Sequence, residues 1–212
     1  MLSIAKVLFA LKNVSTMVIG PSLSVSWIAF ILCAQYYSTT VPVVERYANR
    51  YMNNNRFSEG DTVSKLFANI KDAGGPAPFA KNILKNNQVS GHVLKSEVCL
   101  QLARYLRLLH IETIDDFRDF EAPELLEIVI RSVKGMGDAG VNYLFMLAGD
   151  PNRCKPDVHF HHCIFDACGE DVSNEECQVL LTEAVCELKK KYPDLTVAKL
   201  DGIIWRKYQA MR

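Results

Sequence analysis

The sequence of 212 residues lacks a net charge, because 24 basic and 24 acidic side chains balance. Any affinity for nucleic acid therefore has to come from a local patch. Apolar residues make up 49% and charged residues 23%, which excludes coiled-coil rods, collagen and wholly disordered chains. The charges are unevenly distributed, with net +7 over residues 1–108 and net −7 over residues 109–212. Either a basic lobe that faces a polyanion or an internal interface between oppositely charged parts of the chain produces this pattern.

Closely spaced cysteine pairs are also absent. An odd number of separated cysteines is typical of thiols in a reducing compartment and not of a disulfide framework. This favours a protein that is not secreted. The seven cysteines are Cys33, Cys99, Cys154, Cys163, Cys168, Cys177 and Cys186.

A long hydrophobic run is missing as well. Residues 13–44 contain no charge, but the continuously apolar part is only Trp27 to Ala34. A membrane-spanning helix needs roughly 20 apolar residues, and no clear signal-peptide cleavage region follows. The segment is therefore predicted to be a buried helix, without a membrane partner.

The patterns that are present indicate an all-α fold of about ten helices. Apolar residues recur with helical spacing at 4–11, 94–105 and 196–208. Pro123 is suited to the first turn of a helix, and Ser173 with Glu176 forms a capping box. The sequence Gly74-Gly75-Pro76 predicts a break.

The most informative segment runs from Leu126 to Ala148. An amphipathic helix meets a Gly135-x-Gly137 turn, and another helix begins at once. Two such glycines allow positive φ and close backbone approach, so the N–H groups at the second helix's start are suited to a phosphate oxygen. An ordinary αα-corner that needs glycine for its geometry is the alternative.

A loop and the sequence Pro156-Asp157-Val158-His159 follow. Here the chain resembles the helix-hairpin-helix DNA glycosylase superfamily, of the endonuclease III and adenine-glycosylase type, in which an aspartate follows the hairpin. Ala34-Gln35-Tyr36-Tyr37 is similar to the helix end from which that family inserts a glutamine into the DNA stack. Leu94-Lys95-Ser96-Glu97 is similar to another of its helix starts.

The resemblance implies a two-lobed fold and a double-stranded DNA partner. One lobe would span 15–151, with the hairpin at about 122–148, and the other 1–14 plus 152–212. Such a protein is expected to be a monomer that needs no cofactor. The residues that the resemblance implies as DNA contacts are Gly135, Gly137, Ala139, Gln35 and Lys134. The implied base pocket contains Tyr36 and Tyr37. The backbone carbonyls around Lys134, Gly135 and Gly137 resemble the family's main-chain potassium or sodium site.

The chain also departs from the family. Ala139 occupies the position of the Schiff-base lysine, Asp138 is acidic where a phosphate would approach, and His162 replaces an arginine. The cysteines lack the spacing of an iron–sulfur loop. A glycosylase without the lyase lysine is expected to act by water attack, and Lys155 is expected to be a solvated loop lysine.

Asp157 is the predicted catalytic residue, because a carboxylate beneath the sugar stabilises the positive charge that develops as the glycosidic bond breaks. Its structural alternative, a helix N-cap, is compatible with that role. Other candidates have structural alternatives too. Trp27 and Trp205 are expected either to stack on a base or to lie in the core. Lys95, Arg104 and Arg107 are expected either to contact phosphates or to lie on a solvated helix face. The residues Cys154, His159, His161, His162, Cys163 and Cys168 are a weaker candidate for zinc, because no short cysteine pair anchors them.

Two functions follow. The first is a monofunctional DNA N-glycosylase that removes a damaged or mispaired base. The second is a catalytically silent helix-hairpin-helix DNA-binding protein, which zero net charge, Asp138 and the missing arginine favour.

Overall fold

A computed structural model describes residues 62–209. Within this range the chain divides into two compact units at the Ala148–Gly149 boundary. Residues 62–148 are called the first unit and residues 149–209 the second unit. The described residues form nine α-helices, one π-helix and one two-stranded sheet, so the prediction of an all-α fold is confirmed. The predicted contribution of residues 1–61 to the lobes lies outside the described residues.

The first unit is a set of short helices with one small β-hairpin. Its elements are α1 (Val63–Asp72), α2 (Pro76–Pro78), the π-helix (Phe79–Leu84), β1 (Val89–Ser90), β2 (Val93–Leu94), α3 (Lys95–Leu108), α4 (Ile114–Arg118), α5 (Pro123–Arg131) and α6 (Asp138–Ala148). The β-strands are antiparallel, with Val89 opposite Leu94. This β-hairpin, which is distinct from the predicted helical hairpin of α5 and α6, was not predicted, because two residues per strand are too few to show alternation of apolar and polar residues.

Helix α3 lies at the centre of the first unit. Its apolar face buries Val98, Leu102 and Leu106 completely, and α1 packs against it. The same core receives Ile130 from α5 and Leu144 from α6. The two helices of the predicted hairpin are therefore held by burial of their inner faces.

The second unit has three helices around a separate core. They are α7 (Val158–Cys168), α8 (Asn174–Leu188) and α9 (Val197–Gln209). Phe160, Leu181 and Ile204 are each almost fully buried there, and α7 and α9 pack closely together.

Several predicted boundaries are confirmed. Pro123 is in the first turn of α5, and Ser173 and Glu176 form the reciprocal hydrogen bonds of a capping box at the start of α8. Gly74 and Gly75 both have positive φ and separate α1 from α2. The helix predicted near residues 4–11 lies outside the described residues.

The uncharged segment 13–44, which is predicted to form a buried helix, lies outside the described residues. None of the helices between residues 62 and 209 combines the length and the apolar character that crossing a bilayer requires.

Candidate functional site

The predicted hairpin is present as α5, a six-residue turn and α6. Ser132 ends α5 by donating its backbone N–H to the Ile128 carbonyl at 3.1 Å. In the turn, Val133 and Met136 are buried in the core, whereas Lys134 between them is exposed. The two apolar anchors therefore hold the backbone of the turn at the surface of the first unit.

The fold itself requires glycine at position 135. Its φ is +91°, and a Cβ there would lie 2.9 Å from Cγ2 of Val98. Any other residue would have both an unfavourable backbone conformation and a steric overlap. The Gly135 carbonyl also accepts a hydrogen bond of 2.8 Å from the Ser90 hydroxyl, which ties the turn to β1.

Gly137 differs from Gly135 in its backbone conformation and in the space around its Cα. It is exposed, its φ is outside the left-handed region, and a Cβ would meet nothing within 4 Å. Its carbonyl accepts the first i→i+4 hydrogen bond of α6, from the Val141 N–H at 3.0 Å. Gly137 therefore precedes a helix start, whose first N–H groups have no acceptor within the helix.

The charges around the turn nearly cancel. Arg131 forms ion pairs with Asp138 and, at 2.7 Å, with Glu127. The hydrogen bond with Glu127 raises the pKa of Arg131 further above its ordinary value. The acidic residue that the sequence places beside the phosphate position is thus already paired with a cation, and Lys134 adds a positive charge next to it.

Two of the three carbonyls of the predicted cation site, those of Gly135 and Gly137, have internal partners. The Gly135 carbonyl accepts from Ser90, and the Gly137 carbonyl accepts from Val141. A bound potassium or sodium ion would have to share both oxygens with these donors. Ala139, in the first turn of α6, is half-buried.

Asp157 is the N-cap of α7. Its Oδ1 accepts hydrogen bonds from the backbone N–H groups of His159 at 2.9 Å and Phe160 at 3.3 Å. Its other oxygen, Oδ2, forms an ion pair of 3.1 Å with Nζ of Lys155. The cap alternative considered from the sequence is therefore correct in geometry, and the carboxylate also has a cation beside it.

The expectation that Lys155 is solvated is wrong. The residue is only 7% exposed, and its side chain lies against Asp157 instead of extending into water. Burying an ammonium without a counter-charge is costly, so the carboxylate of Asp157 accounts for this position. Lys95 is likewise buried, with Nζ 3.0 Å from Oε1 of Gln88, so the solvated helix face considered as the alternative to a phosphate contact is wrong for this residue.

Asp201 joins this group from α9 and was not among the predicted site residues. It is 7% exposed, and its Oδ1 accepts the backbone N–H of Lys155 at 3.3 Å. Burial, and after it the negative charge of Asp157, raises the pKa of Asp201 to about 8. The only sequence signal was an acid on the inner side of an otherwise amphipathic helix, in line with Val197 and Ile204.

Two histidines of α7 contact the neighbouring helices of the second unit. The ring of His159 lies edge-on to Trp205, which is half-buried, and Nε2 of His161 is 3.0 Å from Oδ1 of Asn174. His162 is exposed. Between residues 62 and 209, no group of three or more potential ligands has the arrangement of a metal site.

The thiols are mostly, but not all, buried. Cys99, Cys154, Cys163 and Cys177 are buried and unbridged, and Cys186 is exposed. Burial raises the pKa of Cys154 and Cys177. These two thiols are therefore uncharged neighbours of the Lys155 region at neutral pH.

Comparison with known proteins identifies a family. The model of a family described as a domain of unknown function, DUF8548, matches residues 22–210. The chain belongs to this family. No curated protein and no solved structure matches it significantly.

The family match includes both units and all the predicted site residues. Gln35, Tyr36 and Tyr37 fall in its N-terminal part, which is outside the described residues. Of the predicted residues that the structure describes, Lys134, Gly135, Gly137 and Ala139 come together at the hairpin of the first unit, and Asp157 belongs to the second unit.

Proposed function

We propose that this member of the DUF8548 family binds double-stranded DNA through its hairpin and hydrolyses the N-glycosidic bond of a damaged or mispaired base. The observation that carries the proposal is the contrast between the two hairpin glycines. Gly135 is required by internal packing and backbone conformation, whereas nothing inside the first unit requires a glycine at 137. A glycine that is exposed at a helix start leaves room for a phosphate group to approach the backbone N–H groups.

Asp157 is the proposed catalytic residue. In such a reaction the glycosidic bond breaks, its electron pair leaves with the base, and the sugar becomes positively charged. A carboxylate stabilises that charge and can accept a proton from the water whose oxygen bonds to the anomeric carbon. The backbone N–H groups of α7 hold Asp157 in one orientation, and the fixed position is what electrostatic catalysis needs.

A catalytically silent DNA-binding protein is the second candidate. It is favoured by the ion pair between Lys155 and Asp157, because a neighbouring cation reduces the negative potential available to a cationic sugar. The two functions are separated by incubating the full-length protein with duplexes that each contain one deaminated, oxidised, alkylated or mispaired base. Strand breaks after alkali on one duplex establish base release; binding of duplex DNA without breaks on any duplex establishes the silent alternative.

Replacing Gly137 by valine tests the hairpin as the DNA contact. The β-branched side chain would cover the first N–H groups of α6, yet it has space in the folded protein. We expect duplex affinity to fall by about tenfold, which corresponds to losing one charge-assisted hydrogen bond. Gly202→Val is the matched control, because that glycine also has no neighbour within 4 Å of a Cβ. Unchanged affinity in a folded Gly137→Val protein would remove the hairpin from the proposal.

The dependence of DNA binding on salt is expected to be shallow. The charges at the turn largely neutralise one another, so few phosphates can be paired with cations. Each paired phosphate contributes about −0.9 to the slope of log affinity against log salt concentration. A total slope of about −2 to −3 is expected by titration at several salt concentrations, and a steep slope would reveal a larger basic surface.

No covalent imine with DNA is expected during base release. An imine needs an uncharged amine, but Ala139 has none and the Lys155 ammonium is ion-paired with Asp157. Borohydride added during the reaction should therefore leave protein and DNA unlinked, with a bifunctional glycosylase as the positive control. A trapped adduct that disappears in Lys155→Arg, which keeps the positive charge but is no nucleophile, would make the protein bifunctional.

A further inference from the structure

A single lysine, Lys155, connects two acids of the second unit, the buried Asp201 and the partly buried Asp157. Its backbone N–H donates to Oδ1 of Asp201 at 3.3 Å, and its Nζ pairs with Oδ2 of Asp157 at 3.1 Å. The carbonyl of the same lysine accepts the Asp157 N–H at 2.7 Å. Asp201 is 46 residues from Lys155 in the sequence, so α9 holds the short turn from which α7 begins.

We propose that Asp201 is a positioning residue for Asp157 and that it acts in its uncharged form. It anchors the turn through the Lys155 N–H, and while it is uncharged it does not compete with Asp157 for the Lys155 ammonium. The role in base release rests on the proposed function, whereas the anchoring of the turn does not.

The uncharged form follows from the surroundings of Asp201. Asp157 and Lys155, which precede α7, act electrostatically on Asp201. Asp201 in turn raises the pKa of two neighbouring thiols, Cys154 in the same loop and Cys177 on α8. Burial raises the pKa of both thiols, so one carboxylate and one ammonium are the charges near Asp201 at neutral pH. A second carboxylate in this buried place would compete with Asp157 for the Lys155 ammonium.

Ionisation of Asp201 should therefore oppose folding. Its pKa is about 8 in the folded protein, against an ordinary value of 3.8. Its stabilising effect is complete below pH 4 and is lost as the pH rises to about 8, because the unfolded chain releases this proton first. Between these two values the wild-type folding constant should fall by about tenfold per pH unit relative to a variant without the titrating group.

Asp201→Asn and Asp201→Ala separate positioning from simple packing. The asparagine keeps an oxygen that can accept the Lys155 N–H, whereas alanine removes the acceptor. Urea unfolding of the full-length proteins at pH 5, 6, 7, 8 and 9 gives each folding constant. We expect the ratio of the Asp201→Asn constant to the wild-type constant to rise by about tenfold per unit from pH 5 to pH 7 and to level off above about pH 8. A ratio that does not change with pH would overturn the proposal.

Amide hydrogen exchange at Lys155 tests the anchoring directly. Protection of the Lys155 amide should be similar in wild type and Asp201→Asn. In Asp201→Ala it should fall by at least about tenfold, while the amides of α9 in the same protein keep their protection. Equal protection in all three proteins would overturn the anchoring role. If alanine prevents folding, the asparagine and wild-type comparison still decides, because loss of protection in Asp201→Asn contradicts the proposal.

Base release gives the link to Asp157. At pH 7, single-turnover release by Asp201→Asn should stay within about threefold of wild type, and Asp201→Ala should lose at least about thirtyfold with unchanged DNA affinity. Above pH 8, wild-type release should change with an apparent pKa that is missing from the asparagine variant. Identical rates of base release in the two variants would overturn the positioning role. If wild type releases no base from any duplex, the proposed function is refuted, and the anchoring of the turn is then judged from hydrogen exchange alone.

Discussion

Base release is expected to disappear when Asp157 is replaced by asparagine. The loss should reach at least about a hundredfold to a thousandfold in the single-turnover rate, which is typical when one charge-stabilising group is removed from an active site. Duplex affinity should be unchanged or higher, because a negative charge near the DNA is removed. The measurement is base release from a lesion-containing duplex, followed by alkali, together with a binding titration on the same DNA.

The asparagine variant is suitable because it preserves the helix cap. Its side-chain oxygen can still accept from the backbone N–H groups of His159 and Phe160, as Oδ1 of Asp157 does, and asparagine is as good an N-cap as aspartate. Asp171→Asn, in an exposed loop of the same unit, is the matched control. Full base release by Asp157→Asn would show that the residue is a cap and nothing more.

Asp157→Asn is also expected to lower the free energy of unfolding. Lys155 loses its ion-pair partner, and breaking a buried pair typically costs about 3–5 kcal/mol. The charge of Asp157 is one cause of the raised pKa of Asp201, so removing that charge should lower the pKa and let Asp201 become the counter-ion. The loss in unfolding free energy should therefore be smaller than that range.

The second large effect is expected at Gly135. Replacement by alanine should lower the free energy of unfolding by about 2–4 kcal/mol, since the backbone at φ +91° is unfavourable and the new Cβ would lie 2.9 Å from Val98. Gly137→Ala, two residues further on, should change it by less than about 1 kcal/mol, because a side chain there has space and an ordinary φ. Urea unfolding of both variants measures the contrast.

A double-mutant cycle separates the two causes at Gly135. Val98→Ala removes the methyl group that a Cβ at 135 would meet, so the double variant should recover about 1 kcal/mol or more relative to the sum of the single effects. The remaining loss is the backbone contribution. Equal losses of unfolding free energy in Gly135→Ala and Gly137→Ala would contradict the assignment of a structural role to Gly135 and of a DNA-binding role to Gly137.

The sequence by itself determined the features that depend on neighbouring residues. The capping box of Ser173 and Glu176, the proline in the first turn of α5 and the break at Gly74 and Gly75 are all as predicted. So is the position of Asp157 at the start of a helix. Each of these involves backbone groups within four residues, so the local sequence contains the whole cause.

Only the tertiary structure decided which groups are buried and which partners they have. Lys155 and Lys95 look like surface lysines in the sequence, and both are buried. Asp201 reaches the backbone of a residue 46 positions away, and Gly135 is required because α3 brings Val98 beside it. Contacts between distant segments depend on how helices pack, and helical periodicity predicts which face is buried but not which residue lies opposite.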